Sequence, residues 1–271
     1  MTFSADPAKL RAIYDEQLRA HIPDRLPEGV TIERDGPLQR WTGLQWGGFL
    51  TYRDLGGLHG AELDELIVRQ VEVFTERGEQ VEWKTHGHDL PEDLPDRLRA
   101  HGFVPEELET VVIGPVGQLA AKPVRDIPGV RLRETTDRAD LNAIARMEEE
   151  VWGEGSKDHL ADMLAGEIAA APDEILVVLA ESGDRVVSAA WTRYVPGTEF
   201  AGLWGGATLS EYRGRGIYQS LVEHRARRAA EKGYSLLQVD ASSNSRPILE
   251  RVGMVPVATT TPYVFDPVRS S

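Results

Sequence analysis

Two arginines and two glycines, in the order Arg213-Gly214-Arg215-Gly216, follow an apolar stretch and precede a helical pattern. Backbone N–H groups at the start of a helix lack helical partners, and the helix dipole favours negative charge there. Glycines let an anion approach these N–H groups closely, and arginines pair with phosphate. The turn therefore predicts a phosphate-binding site. Its candidate binding residues are Arg213, Gly214, Arg215, Gly216, Ile217 and Tyr218.

A strand and a helix must position this turn. Residues 203–209 form an apolar strand pattern that contains Gly205 and Gly206, a pair typical of a bulge or of close backbone approach. The helix is predicted from about residue 216 to 232, and Gly233 is suited to its C-terminal cap. One helix face is apolar, with residues at steps of four, four and three: Tyr218, Val222, Ala226 and Ala229.

At these residues the sequence resembles the GNAT acyltransferase superfamily, whose signature is Gln/Arg-x-x-Gly-x-Gly/Ala. Arg213 and Gly216 match the signature, and Tyr218 stands in its last place. The resemblance covers roughly residues 128–271. It implies acetyl-CoA as the acyl donor, with its diphosphate at this turn and its pantetheine arm along the bulged strand. A glycine-rich turn that only begins an ordinary helix is the alternative.

Transfer of an acyl group from a thioester to an amine also needs an oxyanion donor, a base and an acid. The resemblance implies a backbone N–H near Ala207 or Thr208 as the oxyanion donor. Leu249 stands where many family members have a tyrosine that acts as the acid, so the resemblance identifies no acid in this sequence. Asp240, at the end of the next strand, is the first candidate for the base, and Glu199 is the second. Capping of a loop and plain solvent exposure are their respective alternatives.

Several other side chains have simple structural interpretations beside functional ones. Three tyrosines are candidate protonic groups or packing residues, namely Tyr194, Tyr212 and Tyr263. Trp152 and Glu154 are candidates to line an acceptor pocket. The run His86-x-His88-Asp89 has no second pair at ligand spacing, so we expect no metal site. The basic helix stretch is expected to face solvent, with Arg225, Arg227 and Arg228.

Composition excludes several classes of protein. The 271-residue chain has 30 basic and 44 acidic residues, a net charge of −14, which argues against general nucleic-acid binding. It has no apolar run long enough for a membrane span, no signal-peptide pattern and no cysteine. We therefore expect a cytoplasmic protein that binds neither nucleic acid nor membrane. The acidic charge could favour a cationic amine substrate, but solubility is the simpler explanation and the one we favour.

An internal repeat predicts two related halves. Trp46-Gly-Gly resembles Trp204-Gly-Gly, and Gly78 follows a helix as Gly233 does. The first copy has Leu58 in place of Arg213, and acidic residues at the start of its helix would repel phosphate. We predict a degenerate GNAT-like lobe over residues 1–114, a linker over 115–128 and a GNAT acyltransferase domain over 129–271. Two unrelated strand–helix–strand units are the alternative.

The resemblance implies an α/β (α+β) fold of two GNAT-like lobes, each with a mixed, mostly antiparallel sheet flanked by helices. It also implies an N-acetyltransferase that transfers an acetyl group from acetyl-CoA to a primary amine of a small molecule, without a metal. A catalytically weak or inactive CoA-binding or regulatory module is the alternative, because the usual tyrosine acid is missing. Acetylation of protein amines is a further alternative. The sequence carries no peptide-groove signal in its favour.

Overall fold

A computed structural model describes residues 6–153 and 159–268 of the chain. These residues form two compact units. Unit 1 comprises the described parts of Met1–Val111, Asp240–Arg246 and Pro256–Ser271, and unit 2 comprises those of Val112–Val239 and Pro247–Val255. The units differ from the predicted lobes because the end of the chain belongs to unit 1.

Unit 1 is built on a mixed sheet with helices. Its elements are α1 (Pro7–Gln17), β1 (Thr31–Asp35), β2 (Leu38–Leu44), β3 (Gly47–Thr51), α2 (Gly60–Arg77), β4 (Val81–His86), α3 (Leu94–Ala100) and β5 (Val104–Pro105), followed by the start of β6 (Glu109–Pro115) and most of β12 (Val255–Phe265). The strand order is β1-β2-β3-β4-β12, and β5 pairs with β12. Only β3 and β4 are parallel among these pairs. Its core includes Leu63, Ile67, Phe74, Trp83 and Phe103.

Unit 2 contains the predicted phosphate-binding turn. Its elements are α4 (Val116–Ala120), β7 (Arg131–Glu134), α5 (Arg138–Trp152), α6 (Leu160–Ala170), β8 (Ile175–Ser182), β9 (Arg185–Tyr194), β10 (Phe200–Thr208), α7 (Ile217–Glu231), most of β11 (Leu236–Ala241) and most of α8 (Arg246–Arg251). The strand order is β11-β10-β9-β8-β7, in which only β10 and β11 are parallel. Helix α7 packs across β8, β9 and β10, and α5 packs on β9 and β10.

The predicted fold class, a mixed and mostly antiparallel sheet flanked by helices, is confirmed. The last strand, β12, is continuous, because the β-branched residues Thr259, Thr260 and Thr261 favour an extended backbone. The predicted linker contains α4, which buries Val116 and Leu119 although prolines and glycines surround it.

Both units contain a strand, a helix and a parallel strand in that order, namely β3–α2–β4 and β10–α7–β11. The Trp-Gly-Gly runs are not equivalent within this arrangement. Trp46 precedes the first β3 residue that pairs with β4, whereas Trp204 follows the residues of β10 that pair with β11. Helix α2 has Glu62 in its first turn, and α7 has no acidic residue there. Whether unit 1 is a degenerate copy stays a prediction.

Within the two described ranges, no helix has the length and apolar character needed to cross a membrane.

Candidate active site

Strand β10 carries the predicted bulge. Its antiparallel register with β9 shifts between Gly205 and Ala207, so that Gly206 is the extra residue. The φ angles of Gly205 and Gly206 are +67° and +99°, in the region that favours glycine. A Cβ at Gly205 would lie 2.4 Å from the ring of Trp191, and a Cβ at Gly206 would lie 2.5 Å from the ring of Tyr218. Two aromatic rings therefore lie directly against the bulge.

The parallel pairing of β10 with β11 stops before the bulge. It covers Phe200–Gly202 on β10 and Leu236–Gln238 on β11, and no pairing with β11 is seen from Leu203 onward in the described residues. From Leu203 onward, the N–H and carbonyl groups of β10 that point away from β9 therefore have no hydrogen-bonding partner on β11. An extended molecule with amide groups, such as a pantetheine arm, fits hydrogen bonding of this kind.

The strand register distinguishes the two predicted oxyanion donors. The Leu209 N–H donates to the Val187 carbonyl on β9 over 3.0 Å. Paired residues of antiparallel strands alternate between hydrogen-bonded and non-hydrogen-bonded positions. Ala207 therefore directs its N–H toward β9 as Leu209 does, whereas Thr208, opposite Ser188, directs its N–H away from β9. Of the two candidates, Thr208 has the N–H on the side where β10 leaves β11.

Helix α7 begins without a side-chain cap. Gly216 is its N-cap residue, with a φ of +82°, and no acidic side chain lies in its first turn. The Ser220 N–H donates to the Gly216 carbonyl, which is the first hydrogen bond of the helix. The N–H groups of Ile217, Tyr218 and Gln219 therefore have no acceptor within the helix. An open set of N–H groups at the positive end of a helix fits a diphosphate.

The two predicted arginines lie at this turn and also hold its backbone. Arg213 Nε donates to the Thr208 carbonyl over 2.9 Å, and Arg215 Nη2 donates to the Pro128 carbonyl over 2.7 Å. The Arg215 guanidinium also lies over the Tyr212 ring. Since a guanidinium carries five N–H donors, one bond to a carbonyl leaves each arginine with donors for a phosphate.

Arg225 is the main residue that the sequence interpretation missed. The predicted solvent-facing position is wrong, because Arg225 is 1% exposed beneath the sheet. Its Nη1 donates to the carbonyls of Trp191 on β9 and Trp204 on β10, over 3.1 and 3.2 Å, and its Nε donates to the Leu221 carbonyl. Burial lowers its pKa to about 10, which still leaves it charged at neutral pH. Arg225 thus fixes both strands next to the bulge.

Tyr218 points back to the bulge. It occupies the place of the last small residue of the signature, and burial raises the pKa of its hydroxyl. The absence of a side chain at Gly206 provides the space for its ring. The bulky residue is therefore accommodated on the strand side, away from the N–H groups of the turn.

Glu199, the second candidate base, lies far from the bulge. It lies just before the first residue of β10, is exposed, and accepts a hydrogen bond from Ser235 Oγ over 2.8 Å. At about 3.3 Å per residue, it lies roughly 20 Å along the strand from Gly206. This distance excludes Glu199 from contact with an acyl group held at the bulge.

Asp240, the first candidate base, lies in unit 1 and forms an ion pair with Lys84 of β4. The Glu109 carboxylate is 3.8 Å from the same ammonium. Burial alone would lower the pKa of Lys84, but the attraction and hydrogen bond of Asp240, with the charge of Glu109, raise it. Lys84 is therefore a charged partner of Asp240 at neutral pH.

Glu82, on the same strand as Lys84, gives a pH-dependent stability prediction. Burial raises its pKa from 4.5 to about 7 against the opposing attraction of Lys84. The folded state therefore holds this proton more tightly than the unfolded state, and stability falls as pH rises from about 4.5 to 7. We expect Glu82→Gln to be more stable than the native protein by about 2–3 kcal/mol at pH 8 and by less than about 1 kcal/mol at pH 5.

Urea unfolding between pH 5 and 8.5 measures this difference. The exposed Glu92 gives a matched control in Glu92→Gln, for which we expect no comparable change with pH. Parallel stability curves for native and Glu82→Gln proteins across this range would contradict the assignment.

The remaining candidates have structural partners. Trp152 is 62% exposed and donates its indole N–H to Glu148, which is 2% exposed. Glu154 lies outside the described residues. Burial raises the pKa of Tyr194 to about 12, and Tyr212 lies under Arg215. In unit 1, the Arg99 guanidinium lies over the Tyr263 ring and donates a hydrogen bond to its hydroxyl.

The His86-x-His88-Asp89 run belongs to a buried polar network of unit 1. His86 bonds the Tyr14 hydroxyl, His88 bonds Asp15, and Asp89 accepts hydrogen bonds from Arg19 and Tyr52. In the described ranges, no group of three or more His, Cys, Asp or Glu side chains is arranged to hold a metal ion. These contacts give each side chain of the run a partner within unit 1.

Residues 139–254 match the family model described as Acetyltransferase (GNAT) family. This range includes the bulged strand, the turn and helix α7. Residues 139–254 are a GNAT domain. This match confirms the resemblance predicted from the turn. It supports acyl-CoA-dependent N-acyltransferase activity in general. No curated protein matches the chain significantly.

Solved structures share the fold over most of the chain. A GCN5-related N-acetyltransferase from Kribbella flavida aligns with a TM-score of 0.67 and 15% identity, covering 95% of this chain and 93% of that one. A tandem GNAT protein from the clavulanic acid biosynthesis pathway aligns at 0.61 and 12%, covering 89% and 85%. A GCN5-related N-acetyltransferase from Sphaerobacter thermophilus aligns at 0.61 and 14%, covering 88% and 76%. At these identities the likeness shows the fold alone.

Proposed function

We propose that the GNAT domain binds acetyl-CoA and transfers its acetyl group to a primary amine of a small molecule. The observation that carries this proposal is the combination of the β10 bulge with the uncapped start of α7. The N–H groups of Ile217 and Tyr218, with Gly214 and Gly216, receive the diphosphate. Arg213 and Arg215 add positive charge beside it.

The bulge supplies the groups for the acetyl end. The backbone of β10 beyond Gly202 pairs with the pantetheine amides, and the Thr208 N–H stabilises the oxyanion that develops during transfer. Asp240 stays a candidate base from the sequence alone, because the structure places it in unit 1, paired with Lys84. A thiol with a pKa near 8.5 leaves readily, so that the missing tyrosine acid does not prevent the reaction.

One observation favours a second candidate, a module that binds CoA without turnover. Leu249 occupies the place of the tyrosine acid and is fully buried, and its aliphatic side chain has no proton to donate. Cofactor binding without transfer would result if no other group supplies the proton.

A titration of the native protein with acetyl-CoA separates these candidates. A ligand that binds only the folded state raises its stability by about 2.7 kcal/mol at a concentration 100 times the Kd. We expect a concentration-dependent rise in Tm, and release of free thiol with at least one member of a panel of primary amines. A rise in Tm without thiol release favours the binding module, and no rise at millimolar acetyl-CoA overturns both candidates.

A further inference from the structure

A third arginine, Arg125, lies at the start of α7. It belongs to the segment before β7, far from the signature in sequence. Its Cδ and Nη1 atoms would each be 3.9 Å from a Cβ at Gly216. Its side chain is 49% exposed. The guanidinium therefore lies beside the N–H groups that we propose to hold the diphosphate.

A buried carboxylate faces the same arginine. Glu223 on α7 is 1% exposed, and its Oε1 accepts a hydrogen bond from Gln219 over 2.8 Å. Its Oε2 has no hydrogen-bond partner in the described residues and lies 3.9 Å from Arg125 Nε. Helix side chains tilt toward the N-terminus, so this carboxylate extends back toward the first turn of α7. An uncompensated negative charge there would oppose anion binding.

The backbone that carries Arg125 is held on both sides by arginines already described. Arg215 donates to the Pro128 carbonyl, and Arg227 donates to the Lys122 carbonyl over 3.3 Å. Ile127 is buried in the core of unit 2. The segment is thus attached at several points to the turn and to α7, and this attachment keeps Arg125 close to Gly216.

We propose that Arg125 contacts a phosphate group of the acyl donor and that Glu223 positions it. The pair neutralises the buried carboxylate and places a guanidinium next to the open N–H groups, where a phosphate can accept hydrogen bonds from both. This inference rests on the proposed use of acyl-CoA. It assigns a phosphate contact to a residue outside the turn, and the phosphate can belong to the diphosphate or to the 3′-phosphate of CoA.

Calorimetric titration of CoA into Arg125→Ala tests the contact. We expect the Kd to rise about tenfold or more, and Arg125→Lys to show a smaller rise because lysine lacks the planar fork. Arg146→Ala, which removes an exposed positive charge from α5, is the control and should change the Kd less than twofold. With a productive amine, the KM for acetyl-CoA should rise while kcat stays unchanged.

Dephospho-CoA distinguishes the two phosphates. A loss of affinity with both ligands assigns Arg125 to the diphosphate, and a loss with CoA alone assigns it to the 3′-phosphate. Glu223→Gln should weaken CoA binding about threefold in the native background, because Arg125 loses the carboxylate that positions it. In the Arg125→Ala background the same change should strengthen binding, because it removes an uncompensated negative charge near the phosphate. Native and Arg125→Ala proteins that bind CoA within twofold of each other would overturn the inference, whereas a native protein that does not bind CoA would overturn the proposed function itself.

Discussion

Gly216→Glu is expected to weaken acetyl-CoA binding by at least about 100-fold, a loss of roughly 3 kcal/mol of binding free energy. The new carboxylate would stand at the N-cap of α7, where the helix dipole attracts it and where we propose that the diphosphate binds. The two negative charges would then compete for one set of N–H groups. The measurement is the shift in Tm on titration with acetyl-CoA.

Gly216→Gln is the matched control because it has the same shape without the charge. Both variants carry the strain of a non-glycine residue at a φ of +82°, about 1–2 kcal/mol. Among the described residues, a Cβ at this position meets Arg125 alone, at ordinary contact distance, so we expect both variants to fold. We expect the glutamine variant to keep a reduced ligand shift and the glutamate variant to lose it. Equal shifts in all three proteins would place the diphosphate elsewhere.

Arg225→Met is expected to lower the free energy of unfolding by about 2–4 kcal/mol and kcat/KM by about 100-fold. Methionine fills much of the same volume but donates no hydrogen bond, so the carbonyls of Trp191 and Trp204 lose their buried donor. Each unsatisfied buried group costs about 1–3 kcal/mol. The activity falls because these carbonyls belong to the two strands next to the bulge, and a displacement there moves the proposed oxyanion donor.

Urea unfolding and steady-state kinetics measure the two effects. Arg146→Met is the control, since Arg146 is an exposed arginine on α5. We expect it to cost less than about 1 kcal/mol. The proposed role of Arg225 is wrong if both methionine variants have the same stability and the same kcat/KM.

The sequence was sufficient for the local elements of the phosphate-binding turn. Paired glycines in an apolar strand predicted the bulge, and Gly216 and Gly233 predicted the ends of α7 to within two residues. These features depend on φ angles and helix caps, which are set by neighbouring residues. Local chemistry therefore determines this part of the candidate site.

Long-range pairing was harder to predict. Arg225 lies within the polar stretch of α7, and no local pattern shows that its guanidinium reaches carbonyls on two strands. Arg125 is nearly a hundred positions from Gly216, and β12 pairs with β4 at the other end of the chain. Asp240 and Glu199 both lie near strand ends in the sequence, but only the fold shows how far along β10 Glu199 is from the bulge.

The contact between Tyr218 and Gly206 links two positions that a motif search treats separately. A relative that keeps the tyrosine needs a glycine opposite it on the bulged strand. Without the tyrosine, the φ angle of +99° by itself still favours glycine at the bulge. A tyrosine in the last place of the signature is therefore compatible with the bulge only when a glycine precedes it by twelve residues.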